Sequence, residues 1–182
     1  MHKDLKIIRY HQKDIVEKIL KMGAEISKDY AGQELLLVGV LKGSVVFMSD
    51  LMRAIEGSVS IDFMAVSSYG KDAKSSGVVK ILKDLDNPIE GKNILIVEDI
   101  LDSGRTLRYI IDLLATRSPA SVKVCAFLDK PGRRVVDVSC DYRGFTIDDP
   151  NAFIVGYGLD YNEKYRSLPY VAELSPEVYT KE

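Results

Sequence analysis

The stretch from residue 94 to residue 107 constrains the fold more than any other part of the chain. It begins with four consecutive apolar residues, Ile94 to Val97, directly after the turn-like Glu-Gly-Lys-Asn. A run of this kind is typical of a strand that is buried on both faces of a parallel sheet. Further on, apolar residues recur with the spacing of one helix face, at Leu107, Ile110, Ile111 and Leu114. The stretch therefore predicts a strand, a turn and a helix of an α/β protein.

The junction between this strand and this helix carries polar residues that suit a phosphorylated sugar. A helix N-terminus offers unpaired N–H groups and the positive end of the helix dipole, which favour an anion. A glycine there lets the backbone approach a ligand, and hydroxyl side chains add donors. Carboxylates accept hydrogen bonds from sugar hydroxyls and suit Mg²⁺. The residues concerned are Glu98, Asp99, Asp102, Ser103, Gly104, Arg105 and Thr106.

This junction could also be an ordinary one without a ligand, because acidic residues before a helix cap are common in α/β proteins.

The length and composition of the chain limit the class of protein to which it can belong. The 182 residues predict a single domain, residues 1–182, that is large enough to bury a core. The net charge of −2 does not indicate nucleic-acid binding, and no apolar run is long enough for a membrane span. With two cysteines and no apolar signal-peptide segment, we expect a cytoplasmic protein.

A second strand–turn–helix unit is predicted earlier in the chain. An apolar strand spans residues 35–40, and an apolar helix follows from about residue 45 to residue 55. Lys42 and Gly43 lie at the turn, where backbone N–H groups and a positive charge could bind an anion. An ordinary loop with a solvated lysine explains the same pattern equally well. A helix at residues 13–30 precedes this unit and has one apolar face.

Three further segments contain candidate functional residues. Strands at 59–66 and 78–82 enclose a long polar stretch, which predicts a long, flexible β-hairpin whose tip is either disordered or a lid. A buried strand at 121–128 precedes Lys130, which either points into the same crevice or lies in solvent. Phe153 begins a short strand and is either a core aromatic residue or a ligand contact.

Several of these motifs resemble one known family. The sequence Glu-Asp-x-x-Asp-Ser-Gly-x-Thr at 98–106 resembles the phosphoribosyl diphosphate (PRPP) signature of type I phosphoribosyltransferases, and its Asp102 is most similar to the hypoxanthine-guanine branch. Leu-Lys-Gly-Ser at 41–44 resembles the pyrophosphate loop, in which the peptide before the lysine is often cis. The block at 155–163 resembles the C-terminal block of the family. The resemblance implies an open, mostly parallel sheet flanked by helices, with a small hood formed by the terminal segments.

The resemblance also implies roles for individual residues. The helix N-terminus at 102–106 would hold the 5′-phosphate, and the carboxylates before it would hold ribose hydroxyls or metal-bound waters. Asp102 would accept a proton from the purine as a general base. Pyrophosphate would be bound by Lys42, Gly43 and Arg166, and Mg²⁺ by Glu98, Asp99 and Asp160. The purine would contact Lys130 through its exocyclic oxygen, stack on Phe153 and meet the backbone of Ile154, while Ser68 and Tyr69 would belong to a lid.

A member of this branch transfers the phosphoribosyl group of PRPP to hypoxanthine or guanine and needs Mg²⁺. We therefore expect PRPP and a 6-oxopurine as the partners of this chain, with no nucleic acid or membrane, and a homodimer or homotetramer. One departure leaves the ranking of hypoxanthine, guanine and xanthine open. The approach to the last strand, Asp148 to Ala152, is longer than usual in the family and lacks the usual lysine.

Other functions remain as alternatives. A non-catalytic PRPP sensor would be expected to add a basic nucleic-acid surface, which a chain of net charge −2 does not suggest. A transferase for adenine or a pyrimidine would not be expected to have an aspartate at position 102. An unrelated nucleotide-binding protein is disfavoured because neither GxGxxG nor GxxxxGK[ST] occurs.

Overall fold

The computed structural model describes residues 2–68 and 79–180. A six-stranded sheet forms the centre, in the strand order β4-β3-β2-β5-β6-β7, and only the β3–β4 pair is antiparallel. The strands of this sheet are β2 (Leu35–Val40), β3 (Val59–Ser68), β4 (Val79–Lys83), β5 (Asn93–Leu101), β6 (Ser121–Asp129) and β7 (Tyr142–Thr146).

Helices cover both faces of this sheet, as the apolar strands predicted. Successive side chains of a strand point to opposite faces, so Leu95 and Val97 of β5 pack on one side and Ile94 and Ile96 on the other. The first side is covered by two helices and the second by one. They are α1 (Gln12–Asp29) and α2 (Val45–Ala54) on the first side, and α3 (Arg105–Ala115) on the second.

A separate three-stranded antiparallel sheet joins the two ends of the chain. Its order is β1-β9-β8, and Leu5 pairs with Leu174 across almost the whole length of the sequence. This sheet is the predicted hood, although the pattern of residues did not predict β1 or β9 individually. The elements are β1 (Leu5–Tyr10), β8 (Ile154–Val155), β9 (Val171–Leu174) and a short helix α4 (Pro176–Tyr179).

Two segment boundaries differ from the prediction in an informative way. β5 continues through Glu98 and Asp99 to Leu101, because its ladder with β6 extends as far as the pairing of Leu101 with Asp129. Glu98 and Asp99, which were predicted to lie after the strand, therefore belong to it, whereas Asp102 follows its end as predicted. β3 and β4 pair as the expected hairpin, whereas Tyr69 and most of the proposed lid lie outside the described residues. In the described part of the chain, no helix is both long and apolar enough to cross a membrane.

Candidate active site

The carboxyl ends of β2, β5 and β6 bring three loops to one edge of the sheet. They are the loop at 41–44, the loop at 102–104 and the segment from Lys130 to Arg134. Ligands of open α/β sheets bind at this edge. The hood lies beside the same edge, because Phe153 and Ile154 line a cavity together with Lys130 and Asp102.

The first of two adjoining cavities lies at the N-terminus of α3. It is lined by Glu98, Asp102, Ser103, Gly104 and Thr106, among others. Gly104 caps the helix in the left-handed conformation with φ of 81°, and a β-carbon there would lie 2.9 Å from the Val136 carbonyl oxygen. Glycine alone adopts this conformation readily. The loop thus turns backbone N–H groups and two hydroxyl side chains toward the space at a helix N-terminus, which is a favourable place for a phosphate.

Glu98 and Asp99 lie beside different cavities. Glu98 lines the cavity at α3, and its Oε2 atom is buried with no hydrogen-bond partner among the residues described. Burial raises the pKa of Glu98 well above its ordinary value, and the negative charge of Asp99 adds to that shift. Asp99 lines the second cavity, where burial raises its pKa to about 6 despite hydrogen bonds from the backbone and the nearby Arg166. Carboxyls of this kind are typical of sites that bind a cation or a hydroxyl group.

The second cavity contains the residues expected to bind the base. Lys130 is only 7% exposed, which rules out the interpretation as a solvated loop lysine. Its Nζ atom donates a 2.7 Å hydrogen bond to the carbonyl of Ala152. Burial lowers the pKa of the Lys130 ammonium, and the charge of Asp102 opposes part of that shift. An ammonium in this cavity can donate to an exocyclic oxygen of a ligand.

Phe153 and Ile154 form the wall of the second cavity on the hood side. The ring of Phe153 packs edge-on against Tyr161 at 5.3 Å between centroids and lies 5.2 Å from the ring of Tyr179. It belongs to the small cluster of the hood, not to the main core. This position leaves an aromatic ring at the cavity where a planar base could stack.

Asp102 and Ile100 line both cavities, and Asp102 is the charged residue of the two. Its Oδ1 atom lies 3.3 Å from Nε of Arg133, which also lines the second cavity. A carboxylate in this position can reach a sugar bound on one side and a heterocycle bound on the other.

The loop at 41–44 contacts the same edge. The Leu41–Lys42 peptide is cis, the form that the family resemblance implied. A β-carbon at Gly43 would lie 1.7 Å from Oδ2 of Asp99, so a larger residue would displace that carboxylate or the loop. Nζ of Lys42 lies 3.0 Å from Oε1 of Glu163, in the segment that follows the hood strand β8. This loop lysine is therefore paired with a glutamate remote in sequence, and the cation whose charge acts on Asp99 is Arg166.

Comparison with known proteins agrees with this geometry. Residues 9–162 match the model of the phosphoribosyl transferase domain. The hypoxanthine-guanine phosphoribosyltransferase of Streptococcus thermophilus is 52% identical over 181 residues, which cover 100% of this chain and 99% of that protein. This chain belongs to the phosphoribosyltransferase family. Its similarity to members of the hypoxanthine-guanine branch extends over the hood as well as the central sheet.

Solved structures of phosphoribosyltransferases have the same fold as this chain. The hypoxanthine phosphoribosyltransferase of Staphylococcus aureus has a TM-score of 0.94 at 50% identity, covering 98% of this chain and 96% of that one. A mutant of the hypoxanthine phosphoribosyltransferase of Trypanosoma cruzi, in a ternary complex with substrates, has a TM-score of 0.91 at 41% identity. That comparison covers 98% of this chain and 100% of the other.

The candidate metal ligands of this phosphoribosyltransferase are separated. Asp99 and Asp160 line the second cavity, and Glu98 lines the first. Within residues 2–68 and 79–180, no three His, Cys, Asp or Glu side chains form a group that could hold a metal by themselves. Mg²⁺ is commonly held by one or two carboxylates together with substrate oxygens, and Asp99 and Asp160 fit that pattern. The assignment of these ligands stays a prediction.

Arg134 is a residue of this phosphoribosyltransferase that sequence reasoning missed. Its guanidinium donates to the carbonyls of Asp102 at 3.1 Å, Val138 at 3.0 Å and Leu101 at 3.4 Å. It also pairs with the buried carboxylate of Asp129 at the end of β6. Arg134 thereby ties the Asp102 loop to the neighbouring strand. The only signal in the sequence was an Arg-Arg pair after a strand, which does not tell a buried arginine from an exposed one.

Proposed function

We propose that this chain is a purine-salvage enzyme that transfers the 5-phosphoribosyl group of PRPP to hypoxanthine or guanine. The products are IMP or GMP and pyrophosphate. The observation that carries the proposal is the position of Asp102 between a phosphate-type cavity at a helix N-terminus and a cavity with a buried lysine and an aromatic wall. One ligand that is a phosphorylated sugar and another that is a 6-oxopurine would meet at this residue. The relatives named above carry the same activity in their names.

The phosphoribosyl group would lie along the end of β5. The backbone and hydroxyls of 102–106, including Ser103, Arg105 and Thr106, would bind the 5′-phosphate. Glu98 and Asp99 would accept hydrogen bonds from ribose hydroxyls. The buried Oε2 of Glu98, which has no hydrogen-bond partner in the described part of the chain, supports this role, because such an atom is costly unless a ligand satisfies it.

The base would occupy the second cavity. Lys130 would donate from Nζ to the exocyclic O6 atom, in place of its bond to the Ala152 carbonyl. Phe153 would stack on the purine ring, and the backbone of Ile154 would meet its edge. The carbonyl of Ala152, at the end of the long Asp148–Ala152 approach, therefore lies where it can influence the choice between hypoxanthine, guanine and xanthine.

Bond formation joins a ring nitrogen of the base to C1′ as the bond from C1′ to pyrophosphate breaks. The base loses one proton overall, and the Asp102 carboxylate would accept it from the imidazole ring or hold the positive charge that develops there. Lys42, Gly43 and Arg166 would bind the departing pyrophosphate. Asp99 and Asp160 would hold Mg²⁺, which supplies positive charge that stabilises this leaving group when bound. Lid residues Ser68 and Tyr69 would exclude water from the reacting centre.

Three further properties belong to the proposal. The whole of residues 1–182 would act as one phosphoribosyltransferase domain. The enzyme would work in the cytoplasm, as expected of a chain of this composition, and assemble as a homodimer or homotetramer. Sedimentation or light scattering at working concentrations distinguishes these two assemblies from a monomer.

A spectrophotometric assay tests the proposed function directly. Purified protein is mixed with PRPP and Mg²⁺ and with hypoxanthine, guanine, xanthine or adenine in turn. We expect nucleotide and pyrophosphate from hypoxanthine and guanine and none from adenine, and the xanthine reaction completes the ranking. A protein that forms nucleotide from none of the 6-oxopurines, or prefers adenine, would overturn the proposal.

A further inference from the structure

Glu163 contacts both cationic side chains to which the proposed function assigns pyrophosphate binding. Its Oε1 atom lies 3.0 Å from Nζ of Lys42, and its Oε2 atom lies 3.4 Å from Nη2 of Arg166. The Lys42 and Glu163 side chains are about two-thirds exposed, at 69% and 66%, so solutes can reach this contact. A carboxylate thus already sits where an anion would bind.

We propose that Glu163 is an internal competitor for the pyrophosphate site. Its carboxylate holds Lys42 and Arg166 with the same kind of charge-assisted hydrogen bonds that pyrophosphate oxygens would form. The inference rests on the proposed function, because it takes these two side chains as the pyrophosphate ligands. Its consequence is weaker binding of pyrophosphate, and of the diphosphate group of PRPP, than the two cations would give alone.

The backbone holds Glu163 in this position through an unusual turn. Tyr161 and Lys164 exchange two backbone hydrogen bonds of 3.2 and 3.0 Å, and the residues between them, Asn162 and Glu163, have φ of 50° and 60°. Two consecutive positive φ angles define the type I′ turn, whose second position strongly favours glycine. The carboxylate of Asp160 accepts the N–H of Glu163 at 2.8 Å and supports the turn. A glutamate is thus held at a position that suits glycine, where its side chain reaches Lys42.

The balance of charge in this region explains why the competitor matters. Lys42 and Arg166 are the cations, and they face the carboxylates of Asp160 and Glu163, with Asp99 nearby. Asp160 pairs with Arg166 at 2.8 Å and is also a candidate metal ligand, so its negative charge would have a role in binding Mg²⁺. Glu163 adds a further negative charge beside a ligand that is itself highly charged. Bound pyrophosphate must either displace this carboxylate or bear its repulsion, and both lower the affinity.

Arg166 retains capacity for a ligand even with these partners. Its Nη1 atom donates to the carbonyl of Gly158 at 2.8 Å, whereas its Nε atom is buried and has no acceptor in the described part of the chain. This donor is therefore not used by any described residue when an anion enters the site.

Very tight binding of pyrophosphate would be a disadvantage for turnover, because slow product release often limits the rate. A built-in competitor shortens the time for which pyrophosphate stays bound.

The substitution Glu163→Gln tests the inference because it keeps the shape of the side chain and removes its charge. We expect calorimetric titration with pyrophosphate at fixed Mg²⁺ to show tighter binding by about two- to tenfold, a modest range because exposed ion pairs are individually weak. The inhibition constant of pyrophosphate in the transfer assay should fall by the same factor. The affinity for IMP should not change, since IMP carries no diphosphate. The difference in pyrophosphate affinity between the variant and the wild type should become smaller in high salt.

Two further variants complete the test. Glu163→Gly removes the carboxylate and also suits the left-handed position, so it should tighten pyrophosphate binding even if the glutamine variant folds poorly. Glu90→Gln neutralises an exposed glutamate in the loop before β5 and should leave all constants unchanged. Folded Glu163 variants that bind pyrophosphate no more tightly than the wild type would overturn the inference, and weaker binding would make Glu163 part of the site itself. A wild-type protein that neither transfers phosphoribose nor binds pyrophosphate would overturn the proposed function as well.

Discussion

Nε of Arg134 donates a 3.1 Å hydrogen bond to the backbone carbonyl of Asp102, a residue that lines both cavities. The same guanidinium binds the carbonyls of Leu101 and Val138 and pairs with Asp129, which is only 1% exposed. A single side chain thus fixes the loop that carries the proposed general base to the next strand of the sheet. Arg134 acts on Asp102 through the backbone, so it is a positioning residue.

The substitution Arg134→Lys keeps the positive charge but loses the planar fork of donors that reaches several acceptors at once. We expect kcat to fall about tenfold to a hundredfold, because displacement of catalytic groups by about 1 Å costs up to that much. The KM for the base should change little, since Lys130 and Phe153 are untouched. Steady-state kinetics with hypoxanthine measures both constants.

Arg117→Lys is the matched control for this experiment. Arg117 forms a two-point ion pair with Asp84, at 2.8 and 2.7 Å, after the end of α3 and away from the cavities. The Arg117→Lys variant should be somewhat less stable than the wild type and equally active. Equal kinetic losses in both variants would show that Arg134 contributes stability alone.

The elements of the fold were predictable from sequence where the local pattern of apolar residues matches the burial of the element in the structure. The continuous apolar runs of β2 and the first half of β5 predicted buried strands, and the apolar face of α1 predicted its helix. The hood strands β1 and β9 were not predictable from pattern, because each gains its partner from the opposite end of the chain. Their presence was inferred only through the family resemblance.

The sequence predicted which residues belong to the candidate site, but it did not predict which contacts they make. The motif at 98–106 indicated phosphate and sugar chemistry, yet it did not indicate that Glu98 and Asp99 would line different cavities. That separation arises because β5 continues through both residues and alternates their side chains. Lys130, Arg134 and Glu163 each contact a residue from a distant segment, and no local pattern specifies those contacts.

Gly43→Ala should abolish tight binding of PRPP without unfolding the protein. The new β-carbon would lie 1.7 Å from Oδ2 of Asp99, so the loop or that carboxylate must move. Either movement alters the proposed pyrophosphate and metal ligands together. Calorimetry with PRPP and Mg²⁺ measures the loss. Gly57→Ala is a control for backbone strain away from the site, because φ is +115° at Gly57 and no described atom would lie within 4 Å of the new β-carbon. Wild-type PRPP affinity in the Gly43 variant would contradict the assignment of this loop.

Lys130→Met should raise the KM for hypoxanthine and guanine far more than the KM for PRPP. The substitution retains an apolar stem but removes the charged donor proposed to bind O6, and a hydrogen bond to a charged group contributes about 1.5–3 kcal/mol. Lys123→Met is the control, because Lys123 lies near the start of β6, over the rings of Tyr30 and Tyr142, whereas Lys130 directly follows the end of that strand. A parallel rise of both KM values would instead make Lys130 a structural residue.

Glu173 of the hood should make stability depend on acid pH. Burial by itself raises the pKa of Glu173, but hydrogen bonds and charge from Lys6 and Arg9 outweigh burial and leave the pKa below its ordinary value. A depressed pKa means that the carboxylate stabilises the fold above its unfolded pKa, about 4.3. This contribution is lost as pH falls through the folded pKa.

Thermal unfolding of Glu173→Gln and wild type, compared between pH 7 and pH 3, measures this dependence. The variant should be less stable at pH 7 by about 1.5–3 kcal/mol, the range for hydrogen bonds to charged groups. The gap should narrow on acidification, because the wild-type carboxyl becomes neutral. Glu177→Gln, at an exposed position in α4, should unfold like the wild type at every pH. A gap that stays constant with pH would exclude this ion-pair cluster as the origin of the stability.

Asp102→Asn should reduce kcat by about 10²- to 10⁴-fold, the usual contribution of general base catalysis. The amide preserves the size of the side chain and leaves the bond from Arg134 to the Asp102 carbonyl in place, but it cannot accept a proton from the purine. Because the 5′-phosphate is proposed to bind backbone and hydroxyl groups, PRPP affinity should stay within several-fold of the wild type.

Arg133→Gln is the control for Asp102→Asn. Nε of Arg133 lies 3.3 Å from the Asp102 carboxylate and pairs with it, but Arg133 has no role in the proposed chemistry. It should alter kcat much less than the asparagine variant does. Full kcat in Asp102→Asn would exclude Asp102 as the base, and complete loss of PRPP binding would make its carboxylate part of the phosphate site.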